Sequence, residues 1–225
     1  MNNCKTAATP IENGLHLQND DGNNLSSQPY RELIGCLTYA TQTTRPDLCA
    51  STNYFSRFEY CFTDEHFMYA KRILRYIQGT SDMKMVYRRD SEADILTGYA
   101  DSDWAGDKND RKSTSGYVFK VFGNTVSWLS QKQPTISLSS TEAEYLALAK
   151  CICEAKWLRC LLKEIGHPCN SPTTIFEDNQ ACIKVAEESR DHKRMKHIDV
   201  KYNFIRESIV NNTTKGTHQA KDGIL

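Results

Sequence analysis

An α/β fold preceded by a small helical region is predicted by three observations. Apolar residues recur at helical spacing between Tyr30 and Gln78. Short β-branched and aromatic runs then appear at Ile95 to Ala100, Gly116 to Phe122 and Thr125 to Ser130. A long amphipathic helix after Ser139, a further short run at Thr173 to Phe176 and two more helical segments complete the order strand, strand, strand, helix, strand, helix, helix.

Taken in order, residues 1–28 are rich in Asn, Asp, Gly and Ser and read as a disordered or loosely docked lead-in. The second region, 29–90, opens with a helix carrying Leu33, Ile34, Leu37, Tyr39 and Ala40, which Thr44-Arg45-Pro46 breaks. A second helix begins near Asp47 and continues an apolar face through Leu48, Tyr54, Phe55 and Phe58. Thr63 is the N-cap of a third, with His66 at its third position and Phe67, Ala70, Ile73, Leu74 and Ile77 on one side, until Gly79 ends it. Met83, Met85 and Tyr87 alternate with Lys84, Val86 and Arg88 in a strand-like way. Region 91–225 holds the remaining elements. Gly123-Asn124 signals a hairpin between the second and third strands. Ser139 and Glu142 form a capping box for the long helix, whose apolar face runs from Tyr145 through Leu148, Ile152, Ala155, Leu158 and Leu162 to Ile165, ending near Gly166. Gln180 to Glu187 and Ile198 to Ile209 are the last helices.

Composition narrows the classes. Among 225 residues, 28 Lys+Arg balance 28 Asp+Glu, which excludes a uniformly basic nucleic-acid binder but leaves room for a local basic face. The nine cysteines include no CxxC pair, so they read as reduced thiols packed as small hydrophobes rather than as zinc ligands. No apolar stretch reaches the ~18 residues of a membrane span, and the polar N-terminus has no signal-peptide core. An intracellular chain with no membrane partner is expected.

Three carboxylates fall where elements end or begin. Asp101 closes the first strand, Glu144 lies in the early turns of the long helix, and Asp178 closes the fourth strand. Taken singly, an Asp after a strand is an ordinary turn former or helix cap. Should the two strands be neighbours crossed by the helix, the three acids meet at one edge. Such a cluster is costly without cations, because like charges raise one another's pKa. Magnesium resolves the conflict, since it prefers oxygen ligands, and two ions about 4 Å apart would activate a water and stabilise the leaving oxygen of a phosphodiester. Glu142 belongs to the cap. It points about 200° around the helix from Glu144, so the two do not share a role.

Cations gather in three places. Lys71, Arg72 and Arg75 lie on the third helix, Arg111 and Lys112 on the loop into the second strand, and Arg190, His192, Lys193, Arg194, Lys196 and His197 in a basic stretch before the last helix. Each is either a solvated face or a set of phosphate contacts.

The runs Tyr99-Ala100-Asp101-Ser102-Asp103-Trp104-Ala105-Gly106-Asp107, Arg111-Lys112-Ser113-Thr114-Ser115-Gly116-Tyr117, Ser139-Ser140-Thr141-Glu142-Ala143-Glu144-Tyr145, Glu177-Asp178-Asn179-Gln180 and Lys196-His197-Ile198-Asp199-Val200 closely resemble the ribonuclease H domain of copia-type (Pseudoviridae) retrotransposon Pol polyproteins. Upstream, Tyr30-Arg31-Glu32-Leu33-Ile34-Gly35-Cys36-Leu37-Thr38-Tyr39, Thr44-Arg45-Pro46-Asp47-Leu48 and Arg72-Ile73-Leu74-Arg75-Tyr76-Ile77-Gln78-Gly79-Thr80 resemble the thumb-like end of the same polyprotein's reverse transcriptase. The resemblance implies a ribonuclease H-like mixed sheet with flanking helices over 91–225, and a reverse-transcriptase thumb or connection remnant over 29–90. It also implies hydrolysis of the RNA strand of RNA/DNA hybrids with two Mg2+ ions, Mn2+ substituting. Asp101, Glu144 and Asp178 match the family's catalytic, metal-holding acids. After the last helix the family places an apolar strand and an Ala-Asp motif supplying a fourth ligand. Here Thr217, Gln219 and Asp222 resemble an altered closing motif without the apolar strand, so the sheet is expected to be reduced toward four strands in a C-terminally truncated domain, with Asp222 the candidate fourth ligand. Arg111, Lys112, Lys193, Arg194 and Lys196, with Lys71, Arg72 and Arg75, are the candidate nucleic-acid contacts. His192 or His197 is a candidate proton carrier. The other parts of the Pol polyprotein are expected partners, a virus-like particle in the cytoplasm is the expected setting of an intact element, and no small-molecule cofactor is implied. No Tyr-x-Asp-Asp motif occurs, so DNA synthesis is not expected. The alternatives are a catalytically inactive Pol remnant that only binds nucleic acid, and a product that does not fold stably.

Overall fold

The computed structural model describes residues 4–19, 26–90, 92–187 and 199–218, which fall into two compact units, Met1–Met85 and Val86–Leu225. In the first unit, Pro46 stops α1 (Tyr30–Thr43), and a 3-10 turn at Pro46–Leu48 leads into α2 (Cys49–Ser56) and α3 (Asp64–Gly79). His66 caps α3 as its position demands, with Nδ1 accepting the Thr63 backbone N–H at 3.2 Å. Tyr30, Ile34, Leu48, Phe55 and Ile73 are wholly buried between these helices, and the Tyr30 hydroxyl donates to the Phe55 carbonyl at 2.7 Å. The described part of the lead-in docks on the same core. Leu17 is 4% exposed, its N–H donates to the Tyr54 hydroxyl, and Arg72 reaches Glu12 at 2.9 Å.

The second unit is built on a five-stranded sheet. Its strands are β1 (Leu96–Ser102), β2 (Thr114–Val121), β3 (Asn124–Lys132), β4 (Thr173–Glu177) and β5 (Thr214–His218), in the order β3-β2-β1-β4-β5. The hairpins β1-β2 and β2-β3 are antiparallel, while β1-β4 and β4-β5 are parallel. The long α4 (Ser140–Glu164) packs over β1 and β2, and α5 (Gln180–Glu187) with α6 (Asp199–Val210) completes the crossover from β4 to β5. Leu96, Ala100, Phe119, Tyr145, Ile152 and Ile175 belong to its core. Among the described helices, none is long and apolar enough to cross a membrane.

Three expectations are corrected. The sheet is not reduced toward four strands, because Thr-Lys-Gly-Thr-His at 214–218 pairs with all of β4, from Thr173↔Thr214 to Glu177↔His218. Backbone pairing and the burial of Thr214 at 2% make that strand without any large apolar side chain. The alternating run at 83–87 forms no strand. Met83, Val86 and Tyr87 are more than half exposed, since alternation without a partner ladder creates no sheet. Ile165, expected on the buried face of α4, is 60% exposed because the helix has ended at Glu164.

Gly98 shows how closely β1 is packed. A Cβ there would lie 2.6 Å from the ring of Phe119, which is wholly buried. Gly98→Ala is therefore expected to lower stability by about 1–3 kcal/mol, measured as the urea midpoint. A midpoint equal to that of the unaltered chain would show that Phe119 can move aside.

Candidate active site

Parallel pairing of β1 with β4 sends both C-terminal ends to one edge of the sheet. Tyr99 is level with Phe176, their rings stacked at 5.2 Å; Asp101 lies two residues further along β1, and Asp178 two residues beyond Phe176, directly after the last residue of β4. The third acid comes from α4. Ser139 starts that helix by accepting the Glu142 N–H at 3.2 Å, and Glu142 reaches back to the Leu138 N–H at 2.9 Å, one residue beyond the usual capping-box partner. With the helix start fixed in this way, Glu144 falls at the sheet edge. One carboxylate oxygen from each of Asp101, Glu144 and Asp178 lies within 4.8 Å of the others. Asp101 is exposed, Asp178 half-buried and Glu144 buried, so the cluster has one wet side and one dry side.

Three converging carboxylates form a hard, all-oxygen donor set, and a solvent-open side leaves room for water or a phosphate. Both features fit a divalent cation such as Mg2+. The electrostatic cost of the cluster is visible at its neighbour Glu177, which is wholly buried at the end of β4. Burial first, then the nearby charges of Glu144, Asp178 and Asp101, push its carboxyl up to about 9. Its Oε1 accepts the Asn179 N–H at 3.2 Å, and its Oε2 has no hydrogen-bond partner among the described residues.

A buried amide ties β2 to the start of α4. Gln133, 2% exposed, donates from Nε2 to the Ser115 hydroxyl and to the Ala143 carbonyl, each at 2.9 Å, and its Oε1 accepts from the Ser137 hydroxyl at 2.8 Å. The β1–β2 loop is held by Lys132, which pairs with the buried Asp107 and with Asp110 at 2.9 Å.

Of the candidate cations, Arg111 is exposed on this loop at a left-handed φ of 59°, and Lys112 lies 3.7 Å from Asp110. Lys71, Arg72 and Arg75 belong to α3 in the first unit. There Lys71 sits over the Phe67 ring at 4.7 Å, Arg72 binds Glu12 and the Thr9 carbonyl, and the Arg75 carbonyl accepts from Ala7. Lys193, Arg194, Lys196, His192, His197 and Asp222 lie outside the described residues. Reading the sequence missed Gln133, Lys132 and Glu177. Only Glu177 carried a signal, since the inward alternation of Thr173 and Ile175 extends to it.

In an alignment of 222 residues that covers 96% of its length, the chain is 36% identical to the retrovirus-related Pol polyprotein from transposon TNT 1-94 of Nicotiana tabacum, and it is 36% identical over 219 residues to that from transposon RE2 of Arabidopsis thaliana. The chain belongs to the copia-type retrotransposon Pol polyproteins. This Pol segment spans 16% and 15% of the length of those two relatives. It is also 45% identical over 134 residues to secreted RxLR effector protein 161 of Plasmopara viticola, covering 60% of this chain and 94% of that one. No protein-family model matches it. Among solved structures, ribonuclease H1 of Halobacterium salinarum aligns with 56% of this chain and 86% of its own at 16% identity and a TM-score of 0.37. LC11 ribonuclease H1 in complex with an RNA/DNA hybrid aligns over the same shares at 17% identity and a TM-score of 0.41. The second unit of the chain is a mixed five-stranded sheet with flanking helices.

Proposed function

We propose that the Pol segment is a metal-dependent endonuclease that hydrolyses the RNA strand of RNA/DNA hybrids. The observation that carries this reading is the convergence of Asp101, Glu144 and Asp178, from two neighbouring parallel strands and the helix that crosses them, to within 4.8 Å. These three acids would hold two Mg2+ ions, with Mn2+ substituting. When bound, the metal supplies Lewis acidity, lowering the pKa of a water and neutralising charge that develops on the phosphate. The chain's own part is to orient. The caps of α4 and the Gln133 bonds fix Glu144 relative to the sheet, while Asp101 is held by its pairing with Gly116 of β2 and Asp178 directly follows the last residue of β4. Arg111 and Lys112 are proposed to take phosphates of a strand crossing that edge, as are Lys193, Arg194 and Lys196. Lys71, Arg72 and Arg75 in the first unit are proposed further contacts along a duplex, and the remaining Pol polyprotein is the proposed partner in an intact element.

The test is cleavage of a hybrid labelled separately on each strand. The RNA strand is expected to be cut in Mg2+, to be protected by excess chelator and to be cut again when Mg2+ is restored, while the DNA strand stays whole. Salt-dependent hybrid binding without cleavage in either Mg2+ or Mn2+ would replace this reading with that of a nucleic-acid-binding remnant.

A further inference from the structure

An exposed apolar shelf lies beside the carboxylate edge. Trp104 is 56% exposed, and its indole Nε1–H donates to the Ser137 carbonyl at 3.2 Å. On either side of Ser137 in sequence, Ile136 is 53% and Leu138 75% exposed. Trp104 follows Asp101 by three residues, at most about 11 Å of chain. Ser137 precedes the N-cap of α4 by two, and the Ser137 hydroxyl is bonded to Gln133, which also holds Ala143 in the first turns of that helix. The shelf is thus tied to β1 and α4, two of the three elements that deliver the acids. The Trp104 loop is itself restrained, as the Ala105 N–H donates to the Ser113 hydroxyl at 3.0 Å and Lys132 clamps Asp107 and Asp110.

We infer that Trp104, flanked by Ile136 and Leu138, is a substrate-positioning platform that packs against sugar rings of a nucleic-acid duplex in its minor groove, beside the phosphate that the carboxylates address. Two observations and one general property of duplex grooves point to this occupant. Lys108 and Arg111 are exposed on the same loop, which gives the aromatic face cationic neighbours suited to a phosphate backbone. Indole has a single donor, and here it is spent on Ser137, so the exposed ring offers no hydrogen bond with which to read a base edge. A wide, shallow minor groove presents sugars to such a surface. Contact through the ring face alone is sequence-tolerant, as an enzyme acting along any hybrid requires. This inference rests on the hybrid-cleavage reading.

Hybrid binding is measured in Ca2+, using fluorescence of a Trp128→Phe, Trp157→Phe background in which Trp104 is the remaining tryptophan. Saturating hybrid is expected to change the Trp104 emission. Trp104→Ala is expected to weaken binding about tenfold, by a similar factor for hybrids of unrelated sequence, and in Mg2+ to raise KM more than it lowers kcat. Trp104→Phe, which keeps a ring without the N–H, is expected to bind within about twofold of the unaltered chain. Unchanged Trp104 emission, or full affinity in Trp104→Ala while cleavage persists, would overturn the platform and leave the nuclease reading intact. An unaltered chain that neither binds nor cuts hybrid would overturn both.

Discussion

Asp101→Asn is expected to reduce Mg2+-dependent cleavage of an RNA/DNA hybrid at least about 100-fold, and Glu144→Gln and Asp178→Asn to do the same. Each exchange keeps the size of the side chain and removes the charge of a group in the 4.8 Å cluster. Metal-assisted stabilisation of a phosphodiester transition state is worth several kcal/mol, and each 1.36 kcal/mol is tenfold in rate. The three losses should not multiply, because the acids act as one unit and removing any member disables it. Steady-state cleavage of a labelled hybrid checks this, with thermal melts confirming that each variant still folds. Cleavage within a fewfold of the unaltered rate in all three would remove the cluster from the reaction.

Glu177→Gln is expected to stabilise the chain at neutral and alkaline pH in the absence of divalent cations. The Glu177 carboxyl stands at about 9 when folded against an ordinary value of 4.5. Below 4.5 it is protonated in both states. Between 4.5 and 9 the unfolded chain releases the proton and the folded chain keeps it, so this group makes stability fall as pH rises and levels off above about 9. Glutamine reproduces the neutral form and can still accept the Asn179 N–H through its carbonyl. The variant should exceed the unaltered chain by about 2–4 kcal/mol at pH 8, and the two should converge near pH 5. Urea unfolding across that range decides it. A difference that does not grow with pH would mean that Glu177 is ionised in the fold.

The parts of the fold that could be read from sequence are those where burial imposes a period. The strands β1 to β4 announce themselves by runs such as Tyr117-Val118-Phe119, and α4 by its 3.6-residue stripe and the Ser139–Glu142 cap. The fifth strand carries no such signal, because Thr214 to His218 is held by backbone pairing to β4. Met83 to Tyr87 misled for the opposite reason, having a strand's alternation but no partner. At the site, the sequence shows the acids but not their convergence. That depends on β1 and β4 being parallel neighbours, a long-range pairing made across two intervening strands and a helix. Gln133 was invisible for a related reason. A glutamine after a strand reads as a surface residue until three partners from different segments close around it.

The most direct test of the carboxylate cluster is metal binding itself, followed through the paramagnetic resonance signal of free Mn2+ as the chain is added without nucleic acid. The unaltered chain is expected to remove the free signal, and Asp178→Asn to weaken binding at least about tenfold. Equal Mn2+ binding by the unaltered chain and by the triple variant Asp101→Asn, Glu144→Gln, Asp178→Asn would contradict the assignment of these three acids as a metal site.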